Sequence, residues 1–189
     1  MKKYKTKKEN GMFRIIALKD FRLVKKGEVG GLIQSMKNLD QSGDAWVSCD
    51  AQVCGNARVY GNAQVSGDAQ VSGDARMSGD ARAYGNALVY GDAQVCGNAR
   101  VHGNAQVSGD ADMLLVGPIG SRKAFTTFCV NENEILVFCG CWSGNISDFK
   151  KRVSKTYTTE IYKTQYDLAS TMAVQILKIK TCAQNEGKN

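Results

Sequence analysis

The chain has 189 residues, a single proline and a formal net charge of +7, with a sequence pI near 9.0. No stretch is long and apolar enough to span a bilayer. The basic segment Met1 to Lys8 is followed by Phe13 to Leu23, which Arg14, Lys19, Asp20 and Arg22 interrupt, so no signal-peptide core is present there and the expected location is the cytoplasm. The basicity is uneven: residues 1–42 sum to +7, 43–114 to −4 and 115–189 to +4. A nucleic-acid reading based on pI alone would therefore mislead, because the middle of the chain is acidic.

Residues 1–42 precede the regular part of the sequence. Met12 to Val24 reads as a strand pair with alternating apolar residues around Lys19-Asp20, and Lys26 to Ile33 leads into degenerate units through Asn38-Leu39. An irregular first coil is expected here, capping the regular coils.

Residues 43–114 are twelve consecutive six-residue units, from Gly43-Asp44-Ala45-Trp46-Val47-Ser48 to Gly109-Asp110-Ala111-Asp112-Met113-Leu114. Each reads Gly, then Asp or Asn, then Ala, a polar residue, a mid-sized apolar residue and a variable one; only Cys49 replaces the Gly. The third position is always Ala, and the fifth is Val except at Met77, Ala83 and Met113. Alternation places both side chains on one face of a short strand, while the Gly-Asx pair supplies a corner. Such a unit cannot bury its inner face alone, so stacked coils must share a continuous core. The pattern resembles the hexapeptide repeat of the left-handed parallel β-helix family. The resemblance implies three units per triangular coil, about four regular coils in all, and a column on the order of 20 Å long at the usual strand spacing.

Residues 115–189 read as a small α+β domain. Val116-Gly117-Pro118-Ile119-Gly120 ends the pattern, and Pro118 is taken as a boundary. Lys123 to Val130 and Ile135 to Trp142 suggest a hairpin around Asn131 to Glu134. Ser147 and Asp148 suit a helix start; Phe149 and Val153, then Tyr162, Tyr166, Ala169, Ala173 and Ile176, continue at helical spacing, giving two amphipathic helices. The fold class expected is mainly β: a left-handed parallel β-helix with a C-terminal hairpin and two helices.

Seven cysteines is an odd number, and Cys54 and Cys96 sit where other units carry Ser or Tyr, so reduced thiols are expected. Cys139-Gly140-Cys141 on an extended strand would put two sulfurs on one face, yet no second pair at ligand spacing exists, and neither metal nor cofactor is expected.

Eighteen residues per coil turn the sequence into columns. One corner then holds Asn56, Asp74, Asp92 and Asp110, an acidic edge with the regular spacing of a phosphate run. Trp46, Gln64, Arg82 and Arg100 fall on one face and Arg58, Arg76, Gln94 and Asp112 on another, while Tyr84 lies under His102 and Tyr60 and Tyr90 share the sixth position. Tyr, Trp and Arg on a stiff face have the composition of a binding surface. His102 is the only imidazole, so acyl transfer, the activity of many left-handed β-helix enzymes, would rest on it alone. The units have no insertion to shape an acyl-donor pocket, and a non-enzymatic protein with no catalytic residues is the preferred expectation.

A further resemblance covers nearly the whole chain. Lys26-Gly27-Glu28-Val29-Gly30-Gly31, Ser42-Gly43-Asp44-Ala45-Trp46-Val47 and Cys139-Gly140-Cys141-Trp142-Ser143-Gly144 with Phe149 resemble hexapeptide-repeat proteins of bacteriophages and prophages. Some of those are described as polymer-forming, and some β-helical members resemble anti-CRISPR inhibitors of Cas9-type nucleases. The resemblance implies a protein acting in the cytoplasm of a bacterial host and blocking DNA loading by a Cas9-type nuclease with its guide RNA. The partner-binding residues expected are Asp74, Asp92 and Asp110, with Tyr84, Tyr90, Arg82 and Arg100 as anchors. Acyl transfer at His102, direct nucleic-acid binding by the basic ends, and a homo-oligomeric phage component are the alternatives.

Overall fold

A computed structural model describes residues 2–109, 112–131 and 134–186, with side chains through Leu177. The chain divides into two units, Met1–Asp110 and Ala111–Asn189.

The first unit begins with a hairpin of β1 (Tyr4–Glu9) and β2 (Met12–Ala17), followed by β3 (Val29–Ile33) and a 3-10 turn at Met36–Asn38. The hairpin turns at Asn10-Gly11, with φ of 48° and 81°, and not at the Lys19-Asp20 pair that apolar alternation suggests. Two consecutive positive φ values define the turn type whose twist suits paired strands, and Asn-Gly is its strongest sequence signal. Eleven two-residue strands follow: β4 (Trp46–Val47), β5 (Gln52–Val53), β6 (Arg58–Val59), β7 (Gln64–Val65), β8 (Gln70–Val71) and β9 (Arg76–Met77). The series continues with β10 (Arg82–Ala83), β11 (Leu88–Val89), β12 (Gln94–Val95), β13 (Arg100–Val101) and β14 (Gln106–Val107).

These strands stack in three parallel ladders. The first face is β3-β5-β8-β11-β14, extended by the β1-β2 hairpin; the second is β6-β9-β12; the third is β4-β7-β10-β13. Partners are eighteen residues apart, as in Arg58 with Arg76 and Arg82 with Arg100. The unit is thus a parallel β-solenoid of about four turns with three faces, and the alanines and apolar fifth positions predicted to point inward are buried from Ala45 to Val107. Leu39 bridges to Val59 and completes an irregular first coil with Ile33 and Val47. That coil is two residues longer, because Leu39 and Val47 are eight apart where other interior positions are six apart.

Glycine at the corners meets two demands. Gly73 has φ of +66°, and a Cβ there would lie 2.8 Å from the Gly91 carbonyl oxygen and 2.9 Å from its nitrogen. Neither left-handed backbone nor coil-to-coil approach admits a side chain easily. Cys49 occupies the same kind of corner at φ 57°.

The irregular coil is closed by side chains that substitute for a missing neighbour. Buried Lys3 donates from Nζ to the Ala45 carbonyl (2.9 Å) and the Ser42 carbonyl (3.2 Å), and the Tyr4 hydroxyl donates to the Leu39 carbonyl at 2.7 Å. Gln41 accepts from the Lys3 backbone N–H at 2.8 Å, and buried Asn38 donates to the Ala57 and Gly55 carbonyls. Unpaired carbonyls at the end of a solenoid are expensive to bury, and these polar side chains satisfy them. Burial lowers the Lys3 pKa to about 8, against the attraction of Asp40 and Asp44, and raises that of Tyr4 to about 12. Trp46, expected on an open face, is buried and packs edge-on against Phe21 at 5.4 Å.

The second unit is an antiparallel sheet, β15 (Met113–Ile119), β16 (Ala124–Asn131), β17 (Glu134–Cys139) and β18 (Trp142–Asn145), with helices α1 (Ile146–Thr156) and α2 (Glu160–Glu186). Met113 and Leu114, which the repeat pattern assigns to a twelfth unit, instead pair with Cys129 and Phe128 in β15. Pro118 lies inside β15 at a register shift and is not a boundary; β15 is an edge strand, where a missing N–H is tolerated. α1 is capped by Asn145, whose side chain accepts from the Asp148 N–H at 2.9 Å, two residues before the Ser147 start. The core joins Phe128, Ile135, Val137, Phe149 and Val153 to Tyr166, Ala169, Ala173 and Leu177. Ile176, expected in that stripe, is 37% exposed, and Leu177 takes the inward place.

Candidate functional site

The order of the faces decides which candidate residues can act together. The corner between the first and second faces carries Asn56, Asp74 and Asp92, all exposed, and Asn56 Nδ2 donates to Asp74 Oδ1 at 3.0 Å. Asp110, the last member of that column, lies outside the described residues. Tyr90 precedes the Gly91-Asp92 corner and is 38% exposed, so it belongs to the same edge. Arg82, Arg100 and Tyr84 do not. They stand on the third face, across the prism from that corner, with Arg82 and Arg100 in register. The expected site therefore splits into an acidic edge with Tyr90 and an arginine face with Tyr84.

His102 stacks on Tyr84 with ring centroids 4.6 Å apart and planes inclined by 12°. This is the ladder contact that eighteen-residue spacing predicts for sixth-position residues. Burial first, and the Arg100 guanidinium second, hold the imidazole pKa below its ordinary value.

Two concavities are not foreseen from the sequence. One, of about 610 Å³, lies on the second face between the 3-10 turn and strands β6 and β9, with Lys37, Arg58, Tyr60 and Arg76 on its walls. Periodicity aligns Arg58 with Arg76 but does not place Met36 and Lys37 beside them, because the first coil is irregular. The other, of about 100 Å³, is in the second unit and is lined by Arg122, Cys139, Trp142, Arg152, Tyr157 and Tyr166 among others.

In that second pocket the Cys139-Gly140-Cys141 segment is a tight turn between β17 and β18, with Gly140 at φ 65°, and not an extended strand with both sulfurs on one face. Cys139 Sγ lies 3.5 Å from Thr126 Oγ1 and 4.0 Å from the Tyr166 hydroxyl, while Cys141 is exposed. The Tyr157 and Tyr166 hydroxyls approach to 3.5 Å, and burial pushes the Tyr166 phenol well above its ordinary value. Arg152 sits 5.9 Å over the Trp142 ring. Cys129 is buried in the same sheet, where burial strongly favours the neutral thiol. Among the described residues no three His, Cys, Asp or Glu side chains converge as a metal cage, and no helix is long and apolar enough to cross a membrane.

Comparison with known proteins supports the repeat. A family model for the YdcK β-solenoid repeat matches residues 51–67 and 93–109, which hold β5 to β7 and β12 to β14. A search of curated proteins finds no match.

Proposed function

We propose that the protein is a non-catalytic, phage-type binding protein that occupies a host nucleic-acid-handling effector, with a Cas9-type nuclease and its guide RNA as the target and DNA loading as the blocked step. The observation that carries this reading is the exposed pair Asp74 and Asp92, one coil apart on a stiff ladder. Carboxylates repeated at a spacing of about 5 Å present regular negative charge, as a nucleic-acid strand does. Effectors of this type hold nucleic acid in positively charged channels, so an acidic edge supplies complementary charge. A channel that surrounds the solenoid would also meet Arg82, Arg100 and Tyr84 on the opposite face.

The test is a DNA-cleavage assay with a guide-loaded Cas9-type nuclease and increasing amounts of the protein. The double substitution Asp74→Asn/Asp92→Asn keeps a corner chemistry that Asn56 and Asn86 already use. It is expected to weaken inhibition at least tenfold and flatten its salt dependence; equal inhibition by the variant removes the acidic edge from the mechanism, and no inhibition by the parent protein removes the target.

Acetyl transfer at His102, the only imidazole of the chain, is the second reading. Acetyl-CoA turnover that disappears in His102→Ala would establish it.

A further inference from the structure

The groove on the second face of the solenoid has a charge pattern that the fold does not require. Its walls are Met36 and Lys37 from the 3-10 turn, Asp40, and Arg58, Tyr60 and Arg76 from the face itself. Arg58 and Arg76 are exposed and pair in register, so two guanidinium groups occupy neighbouring rungs about 5 Å apart. Such like-charge neighbours repel. Neither arginine, nor Lys37, belongs to an ion pair among the described residues, in contrast with Arg14 on Glu9 and Arg22 on Asp80. The one acid lining the groove, Asp40, is a carboxylate held by the Ser42 hydroxyl at 2.6 Å and the Ser42 N–H at 3.1 Å, and it forms no ion pair with the three cations, which outnumber it. The fourth position of the repeat has no need of arginine, since Gln52, Gln64, Gln70, Gln94 and Gln106 fill it in other units.

Three such cations beside an exposed tyrosine and an exposed methionine favour a ligand with phosphate at one end and a flat ring at the other. Guanidinium forks match phosphate oxygens in a bidentate geometry, and an aromatic ring offers a stacking platform for any base. Tyr60 is 38% and Met36 45% exposed, so both present apolar surface to the groove's solvent. We propose that this groove binds a nucleotide, with its phosphates on Lys37, Arg58 and Arg76 and its base against Tyr60. The ligand is either a free nucleotide or a residue of a single strand, and the site stands independently of the acidic edge.

Calorimetric titration with ADP, adenosine, ribose 5-phosphate, a hexa-adenylate and a hexaglutamate peptide tests this on the full chain. ADP is expected to bind at least tenfold more tightly than adenosine or ribose 5-phosphate. Hexa-adenylate binding tenfold tighter than ADP would assign the site to a strand, and equal affinity per site to the free nucleotide. Arg58→Gln/Arg76→Gln adopts the residue that neighbouring units carry, and Tyr60→Ser adopts the residue at Ser66, Ser72 and Ser78, so both variants keep the repeat. The first is expected to lower ADP affinity at least tenfold and reduce its salt dependence, the second several-fold with salt dependence unchanged. Hexaglutamate binding as tightly as ADP, or ADP affinity unchanged in the double variant, would overturn the proposal.

Discussion

The two units reach a buried core by opposite routes. The regular coils repeat one small solution: Ala and mostly Val fill the interior, a Gly-Asx corner turns the chain, and each coil bonds the next, so burial is shared among many small side chains. The C-terminal unit concentrates its burial in a few aromatic contacts. Phe149 touches Phe128, Trp142 and Tyr166 with centroids 5.5 to 6.1 Å apart. Stability in the first is spread along a ladder of near-equal terms, and in the second it hangs on a hub.

Phe149→Ala should break that contrast most sharply. Removing a buried hub that meets three rings is expected to cost about 3–5 kcal/mol and expose the C-terminal amides to hydrogen exchange, while the solenoid amides stay protected. Equal loss of protection in both units would mean that the hub is not local.

Within the solenoid the largest effect belongs to the corners. Gly73→Ala combines a left-handed backbone with a Cβ pressed against the Gly91 backbone, and is expected to lose about 2 kcal/mol or more in a urea melt. An alanine placed at an outward fourth position, as in Gln70→Ala, is expected to change little. If both substitutions cost the same, the corners are not what fixes the winding.

The interior sharpens the comparison because the three apolar residues of a coil are exchangeable as a set. One coil carries Val71, Met77 and Ala83, where its neighbours carry Val at all three places, and all three side chains are fully buried. In side-chain volume the longer Met offsets the smaller Ala. Met77→Val is therefore expected to open a void costing about 1 kcal/mol, and Ala83→Val to overpack by a similar amount. The double variant restores the neighbouring composition and should recover most of the loss, a coupling of opposite sign to the single effects.

This exchangeability explains why the solenoid was legible and the sites were not. Ala at the third position of each unit and an apolar residue at the fifth dictate an inward face whatever lies outside, so the strand-and-corner unit follows from local alternation, while three units per coil come from the family resemblance. The irregular coil breaks the period: the hairpin turns at Asn10-Gly11, a local signal that competes with the apolar alternation around Lys19-Asp20, and the eight-residue step from Leu39 to Val47 hides the groove that Lys37 forms with Arg58 and Arg76. Eighteen-residue columns placed Tyr84 under His102 correctly, but the expected site joined Asp74 and Asp92 to Arg82 and Arg100, whose columns lie on opposite sides of the prism. In the second unit, Pro118 misled because sequence alone does not tell an edge strand from a boundary.

The polar closure of the first coil gives the solenoid a pH signature of its own. Lys3 loses its proton near pH 8 when folded and near 10.5 when unfolded, so in that window the unfolded chain binds more protons and stability rises with pH. Tyr4 has the opposite sign: its folded pKa of about 12 exceeds the ordinary phenol value of 10.0, so stability is lost as pH climbs between the two. Chemical melts are expected to show a gain on the order of 1 kcal/mol from pH 8 to 10 and a decline above it. Lys3→Met should flatten the rise and leave the decline; a rise that survives this change would place the titrating group elsewhere.

The smallest expected effect tests whether a corner tolerates a side chain. Cys49 adopts φ of 57° where every other repeat unit begins with Gly, and its carbonyl accepts from Arg14 at 3.2 Å, which anchors the strained residue to the hairpin. Cys49→Gly removes the steric cost of a Cβ in the left-handed region, about 1–2 kcal/mol, but adds the chain entropy that glycine loses on folding, about 0.5–1 kcal/mol. The net gain expected is at most about 1.5 kcal/mol, read as a rise of a few degrees in the melting temperature of the solenoid. Because Arg14 bonds the carbonyl and not the side chain, that contact survives the substitution. A fall in melting temperature would therefore show that the thiol packs favourably against its surroundings, and that a solenoid corner can exchange conformational ease for contact as the aromatic hub of the C-terminal unit does.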